Sequence, residues 1–216
     1  MAFFDFLLGG PGGQVKRHAR RVANRDAQPE DRETSAAWLA DNGSDEALMG
    51  LCGRFGLQLE HSLKDKKEKE LVAEMLEAKG DQGAEIARRW AAANPHYHYP
   101  VRIVERVHGP DAATQLLLDL LAGESVDNEF HPEKKRNLLI SLAERRHAKI
   151  LDAARPFLAD FDEGVRHAAI EALAAQEGDA MRPALHEALK NPREESTRIR
   201  GRLAEIFQQR RWDAAV

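Results

Sequence analysis

Apolar residues recur along this chain at the spacing of helices. The spacing i, i+1, i+4, i+5 occurs at Leu71, Val72, Met75 and Leu76, and again at Leu116, Leu117, Leu120 and Leu121. Such spacing gathers apolar side chains on one face of a helix. No segment alternates apolar and polar residues as a half-buried strand does. The pattern predicts an all-α chain.

A helix–turn–helix unit repeats through the sequence. It is clearest in residues 162–189, DEGVRHAAIEALAAQEGDAMRPALHEAL, where Gly178-Asp179 forms the turn. With Arg166 as anchor, the same unit recurs at spacings of 30 to 35 residues, with anchors at Glu33, Glu68, Arg102, Arg136 and Arg200. This period is typical of helical hairpins that stack and bury their apolar faces on one another.

The register of the repeat is supported by two columns of positions. The residues 18 after the first five anchors are all apolar: Leu51, Ile86, Leu120, Ala154 and Ala184. The residues four after the six anchors are Ala37, Val72, Arg106, Ile140, Ile170 and Ala204, and only Arg106 is polar. We expect both columns in the core. Glycine in the turns predicts helix ends in a left-handed conformation at Gly43, Gly80, Gly109 and Gly178.

Residues 160–185, DFDEGVRHAAIEALAAQEGDAMRPAL, resemble a HEAT repeat, particularly the short HEAT-like units of the bilin-lyase type. The resemblance is good over residues 130–207 and weaker, but in register, over residues 28–122. It implies a right-handed α-solenoid of about five to six hairpins whose second helices line a concave face. We expect one such domain over residues 14–212, preceded by an apolar segment and hinge over residues 1–13.

The repeat anchors include a column of arginines. Arg102, Arg136, Arg166 and Arg200 match the Val/Ile-Arg position of the family, and the resemblance implies a structural ladder that pairs with acids between helices, such as Asp160 or Asp162. Ligand binding by this column is the alternative.

Charge is segregated along the chain, whose net charge is −4. Residues 1–25 hold five basic residues against Asp5, and residues 193–211 hold six arginines against three glutamates. Residues 27–192 hold 30 acidic and 21 basic residues. The acidic middle predicts a protein partner with a basic segment. It disfavours nucleic acid, because acidic surfaces repel phosphate, although the basic ends keep nucleic-acid contact as an alternative.

No motif indicates catalysis or a cofactor. The sequence has no Gly-rich phosphate loop, and its single cysteine, Cys52, excludes a zinc-spaced set. Cys52 lies in an apolar helical pattern, which predicts a buried thiol and a reducing compartment. Iron-binding HEAT hydroxylases of the deoxyhypusine type need repeated His-Glu pairs, and only His186–Glu187 is such a pair. We therefore expect a non-enzymatic, cytoplasmic scaffold or adaptor.

The stretch NPHYHYPVR, residues 94–102, carries two prolines that predict an extended segment. His96 and His98 then project to one side, and Tyr97 and Tyr99 to the other. One side packing over a joint between repeats is the simplest interpretation. The alternatives are a partner-binding spot at Tyr97 and Tyr99, or a HEAT-like lyase or hydrolase that uses this loop.

The first ten residues, MAFFDFLLGG, are apolar except for Asp5. As a helix, this segment either covers the first hairpin or inserts into a partner groove or a membrane through Phe3, Phe4, Phe6 and Leu7. A basic stretch follows, with Lys16, Arg17, Arg20 and Arg21. An apolar insert plus a basic patch is typical of reversible attachment to anionic membrane, so the protein would then lie at its inner face.

Overall fold

The computed structural model describes residues 11–213. Within them it has twelve α-helices and one 3-10 turn, with no strand. In chain order these are α1 (Pro11–Val22), α2 (Pro29–Asn42), α3 (Asp45–Gly56), α4 (Ser62–Glu77), α5 (Asp81–Ala93), α6 (His98–His108), α7 (Pro110–Ala122), α8 (Pro132–Ala143), α9 (Lys149–Ala154), the 3-10 turn (Arg155–Ala159), α10 (Glu163–Ala174), α11 (Arg182–Leu189) and α12 (Thr197–Arg210).

The chain forms two compact units, Met1–Ala113 (unit 1) and Thr114–Val216 (unit 2). In unit 1, α2, α4 and α6 pack one on the next, α3 packs on α5, and α1 covers α2 and α3. In unit 2, α8, α10 and α12 pack in the same order, and the 3-10 turn packs on α11. First helices contact first helices and second helices contact second helices, so the predicted all-α stack of hairpins is confirmed. The single domain over residues 14–212 stays a prediction.

The predicted hairpin register is right at the level of helices. All six anchors lie on first helices, namely α2, α4, α6, α8, α10 and α12. The column 18 residues after the anchors is buried at every position, with Leu51, Ile86, Leu120, Ala154 and Ala184 each at most 5% exposed.

The column four residues after the anchors is right at Val72 and Ile170, which are 2% and 1% exposed, and wrong at three other positions. Ile140 is 47% exposed, and Arg106 and Ala204 face solvent. In two hairpins the anchor was placed one residue late. Counted from Arg32 and Lys135, the fourth residues are Ala36 and Leu139, and both are buried. One residue turns a helix by about 100°, so the error moves the column from the core to the surface.

The four turn glycines share the predicted positive φ, but Gly80 and Gly109 differ from the predicted left-handed helical conformation, which Gly43 adopts with ψ of 2°. Gly43, Gly80, Gly109 and Gly178 all have positive φ, at 66°, 56°, 88° and 75°. Gly80 and Gly109 combine this φ with ψ of −132° and 174°, a region that residues with a Cβ avoid. Chain reversal at these two turns therefore requires glycine.

The core of unit 1 includes the only cysteine of the chain. Cys52 is fully buried on α3, and burial raises the pKa of its thiol to about 12. The predicted buried thiol is confirmed.

Candidate functional site

Arg166, the anchor of the clearest repeat, ties together three segments of unit 2. Its Nε and Nη2 atoms donate to the two carboxylate oxygens of Glu194 at 2.8 and 3.0 Å. Its Nη1 atom donates to the carbonyl oxygens of Asp160 and Phe161 at 2.9 and 3.0 Å. Burial alone would raise the pKa of Glu194, but Arg166 holds it below its ordinary value. The acid of this pair is Glu194, not the Asp160 or Asp162 carboxylate.

Lys135 has the corresponding role on α8. Its Nζ atom donates to the carbonyl oxygens of Ser125 and Asn128 at 3.2 and 2.8 Å, and to Oδ2 of Asp160 at 2.6 Å. The side chain is 1% exposed, so these acceptors replace its hydration. The predicted ladder residue, Arg136, instead lies half-buried against Gly164.

Arg32 has this role on α2. Its Nε and Nη2 atoms donate to the carboxylate of Glu68 at 2.9 and 2.8 Å, and Nη1 donates to the carbonyl oxygen of Ala27 in the preceding loop. Each buried cation therefore joins the loop before its helix to an acid further along the chain. These hydrogen bonds from one cation to loop carbonyl oxygens and to an acid hold the loops between hairpins in place.

The predicted ladder of Arg102, Arg136, Arg166 and Arg200 is thus corrected to Arg32, Lys135 and Arg166. Arg200 is exposed. Arg102 lies 3.9 Å from the carboxylates of Glu70 and Glu77, too far for a hydrogen bond, and its guanidinium stacks 4.8 Å from the Tyr99 ring centroid.

A second buried arginine in unit 1 escaped the sequence analysis. Arg54 on α3 is 1% exposed, and its Nε donates to Glu68 at 2.8 Å while its Nη2 donates to Asp65 at 2.8 Å. Burial acts to raise the pKa of Glu68, yet Arg32 and Arg54 together hold that pKa below its ordinary value. Arg54 is the one charged residue in an apolar helical pattern, and such a residue is ordinarily expected at the surface. Its burial becomes evident only from the packing of α4, which supplies Glu68 and Asp65.

A groove of unit 2 lies between the 3-10 turn and α11, in the second halves of two neighbouring hairpins. Its volume is ≈ 940 Å³. Seven of its twelve lining residues are apolar, and the polar ones include Arg155 and Glu187, which form an exposed ion pair of 3.2 Å. The lining includes Pro156, Leu158, Ala159, Pro183, Ala184, Ala188 and Pro192. The sequence predicted the second-helix face as a binding face but named none of these residues, because small apolar residues in short helices carry no motif.

Helix α1 presents the basic face that the sequence indicated. Lys16, Arg17, Arg20 and Arg21 are exposed, while Val15 and Val22 on the opposite face are buried in unit 1. The four basic residues line one side of a shallow depression of ≈ 760 Å³. The apolar residues expected to accompany them, Phe3, Phe4, Phe6 and Leu7, lie outside the described residues.

The stretch NPHYHYPVR is extended at Asn94 but helical from His98 on, so the expected extended segment over residues 94–102 is wrong. Tyr97 has helical φ and ψ, and α6 begins at His98, because Pro100 is accepted within a first helical turn. The histidines and the tyrosines nevertheless lie on different sides, as expected. His96 and His98 are exposed, whereas Tyr97 is buried and Tyr99 stacks on Phe55 with ring centroids 5.3 Å apart. A role of the two tyrosines in partner binding stays a prediction.

Neither a metal cluster nor a membrane span is present in the part of the chain that the structure describes. Residues 11–213 bring together no group of three or more His, Cys, Asp or Glu that could hold a metal ion. Among the same residues, no helix is both long and apolar enough to cross a membrane.

Comparison with known proteins supports the fold. Residues 114–204 match the family model for HEAT repeats, which confirms the predicted HEAT-repeat resemblance there. A solved structure described as the TOG domain structure from C. elegans Zyg9 is similar at 17% identity with a TM-score of 0.50, over 88% of this chain and 80% of that chain. Comparison with curated proteins gives no match. The chain is therefore an α-solenoid whose residues 114–204 are similar to HEAT repeats, and the bilin-lyase type stays a prediction.

Proposed function

We propose that this chain is a non-enzymatic scaffold that binds a partner protein in the groove between the 3-10 turn and α11. HEAT repeats and TOG-like folds are typical of protein-interaction scaffolds. The observation that carries the proposal is the groove itself, because most of its lining residues are apolar and the others include a charged pair. Protein interfaces combine an apolar centre with a polar rim in this way.

The finer proposal is that the partner carries a basic segment and meets this chain in the cytoplasm. The excess of acidic residues over residues 27–192 supports the basic segment, because opposite charges accelerate association. A single cysteine that is fully buried supports a reducing compartment. Association should slow as salt is raised.

Site-specific cross-linking tests the groove. A benzophenone amino acid placed at Ala159 in the groove should yield an adduct of defined mass in a cell extract, and mass spectrometry identifies the partner. The matched control position is Ala204, an exposed alanine on a first helix. With the purified partner, Ala159→Glu should weaken binding and Ala204→Glu should leave it unchanged. Equal adducts and equal affinities at the two positions would refute the groove.

A second candidate function, contact with an anionic membrane, is supported by the exposed basic face of α1. Each basic residue near such a surface contributes about 1 kcal/mol. Replacing Lys16 and Arg20 with Glu should abolish co-sedimentation with phosphatidylserine vesicles, as should deletion of residues 2–8. Lys66→Glu with Lys67→Glu, on exposed positions of α4, is the matched control. Loss of sedimentation in the control as well would show non-specific charge attraction.

A further inference from the structure

Two phenylalanines of unit 2 face solvent in loops between hairpins. Phe130 is 78% exposed in the loop between α7 and α8, and Phe161 is 62% exposed in the loop between the 3-10 turn and α10. Large exposed apolar side chains that share a surface are characteristic of interaction sites in folded proteins.

The buried cations bring these two loops together. The Lys135 ammonium group binds the carbonyl oxygen of Asn128 at 2.8 Å and the carboxylate of Asp160 at 2.6 Å. Phe130 follows Asn128 by two residues, and Phe161 follows Asp160 directly. One ammonium group therefore fixes the backbone close to both aromatic residues.

The backbone at each phenylalanine is also held by a second contact. The amide of Phe130 donates to Oδ1 of Asn128 at 2.9 Å, and the carbonyl oxygen of Phe161 accepts from Arg166 at 3.0 Å. Loops that are ordered before a partner arrives lose less conformational entropy on binding. The backbone that carries the two rings is thus already ordered in the free protein.

The surroundings of Phe130 are acidic. Asp127, Glu129 and Glu133 are exposed within three residues of it, and Glu163 is exposed beyond Phe161. Of the basic neighbours, Lys134 pairs with Glu124 at 2.8 Å, Lys135 is buried, and Arg136 lies half-buried against Gly164. Glu163 pairs with Arg198 at 3.7 Å, whereas no ion pair among the described residues includes Asp127, Glu129 or Glu133.

We infer that Phe130 and Phe161 form a docking edge for a protein segment that alternates basic and apolar side chains. Apolar side chains of the segment cover the rings, and its Lys or Arg side chains meet the carboxylates or stack over a ring. The acidic surroundings select a basic protein segment over nucleic acid or anionic lipid, since both of those carry phosphate. The docking edge shares no residue with the groove between the 3-10 turn and α11, so it is tested independently of the proposed function.

A fluorescent synthetic peptide that alternates Lys and Leu is the probe, titrated against the full chain by anisotropy. We expect saturable binding that weakens as salt is raised. Phe130→Ala combined with Phe161→Ala should weaken it about tenfold, because central aromatic side chains dominate interface affinity. Glu129→Lys combined with Glu133→Lys should weaken it comparably. Circular dichroism should show unchanged folding, since all four side chains are exposed.

Matched control variants distinguish binding of the probe at the docking edge from non-specific binding to any exposed apolar or acidic residue. Leu63→Ala removes another exposed apolar side chain, 82% exposed on unit 1, and Glu46→Lys with Glu60→Lys reverses two exposed acids there. These variants should bind the probe as the original chain does. Ala159→Glu should also bind it normally, whether or not the groove binds a partner.

Several results would overturn the inference. One is equal loss of probe binding in the controls, and another is equally tight binding of a Glu/Leu peptide. Loss of probe binding in Ala159→Glu would place the peptide in the groove instead. Concentration-dependent self-association that the Phe130 and Phe161 substitutions abolish would show that a second copy of the chain occupies the docking edge.

Discussion

The Nζ atom of Lys135 lies 2.6 Å from Oδ2 of Asp160, and both side chains are 1% exposed. The pair joins α8 to the loop that precedes α10 and leaves no room for water around either charge. Because a buried charge without its partner keeps its full desolvation cost, the pair makes unit 2 sensitive to single substitutions.

Lys135→Met should therefore destabilise unit 2 by about 3–5 kcal/mol, since Asp160 would remain buried and uncompensated. Urea unfolding followed by circular dichroism measures the loss. The matched control is Lys134→Met, one residue earlier, whose partner Glu124 is nearer the surface; it should cost less than about 1 kcal/mol. Adding Asp160→Asn to Lys135→Met should recover part of the stability. Equal effects of Lys134→Met and Lys135→Met would contradict the buried pair.

Acid should destabilise unit 1 through Glu68. Its pKa is held below the ordinary value by Arg32 and Arg54 against the opposing effect of burial. A depressed folded-state pKa contributes stability that is complete above the unfolded-state pKa of about 4.3 and is lost as pH falls through the lower folded value. Thermal unfolding between neutral pH and pH about 3 should show this loss.

The variant Glu68→Gln removes the charge that both arginines share. It should cost about 1–3 kcal/mol at neutral pH and flatten the acid limb of the stability profile. Glu74→Gln, on an exposed position of the same helix, should change neither. An unchanged acid limb in Glu68→Gln would place the acid sensitivity in another group.

The close packing of α1 against α3 depends on Gly50. A Cβ at this position would lie 2.7 Å from Cβ of Ala19, closer than two carbons can approach. Gly50→Ala should push α1 away and accelerate proteolysis within residues 11–28. Gly53→Ala is the matched control on the same helix, because its Cβ would meet Ala23 at an ordinary 3.6 Å. Higher helix propensity should make that variant neutral or more stable by up to about 1 kcal/mol. Equal proteolysis in the two variants would contradict the close contact.

Cys52 should be inert in the folded chain. Burial raises the pKa of its thiol to about 12, and the thiolate is the reactive form. Iodoacetamide at pH about 8 should leave native protein unlabelled and label it fully in denaturing urea. A cysteine introduced at the exposed Ser62 should be labelled without urea. Rapid native labelling of Cys52 would mean that α3 opens from its neighbours.

The hairpins follow from local signals in the sequence. Helical spacing of apolar residues, a repeat of 30 to 35 residues and glycine at the turns are local signals, and each helix and turn follows from a few neighbouring residues. For the same reason the predicted burial of the column 18 residues after the anchors was correct, because the position of that column depends only on the length of a hairpin. The basic face of α1 could also be predicted from local sequence. Its residues follow the helical spacing i, i+1, i+4, i+5, at Lys16, Arg17, Arg20 and Arg21.

Which cations are buried, and which apolar residues are exposed, depends on how the hairpins pack. Lys135 and Arg136 are adjacent and chemically similar, and the choice between them depends on where the loops carrying Asn128 and Asp160 arrive. Phe130 and Phe161 are exposed for the same reason, since their surroundings come from segments distant in sequence. Burial and partner choice are long-range properties, so they follow from the packing of hairpins and not from the pattern within one.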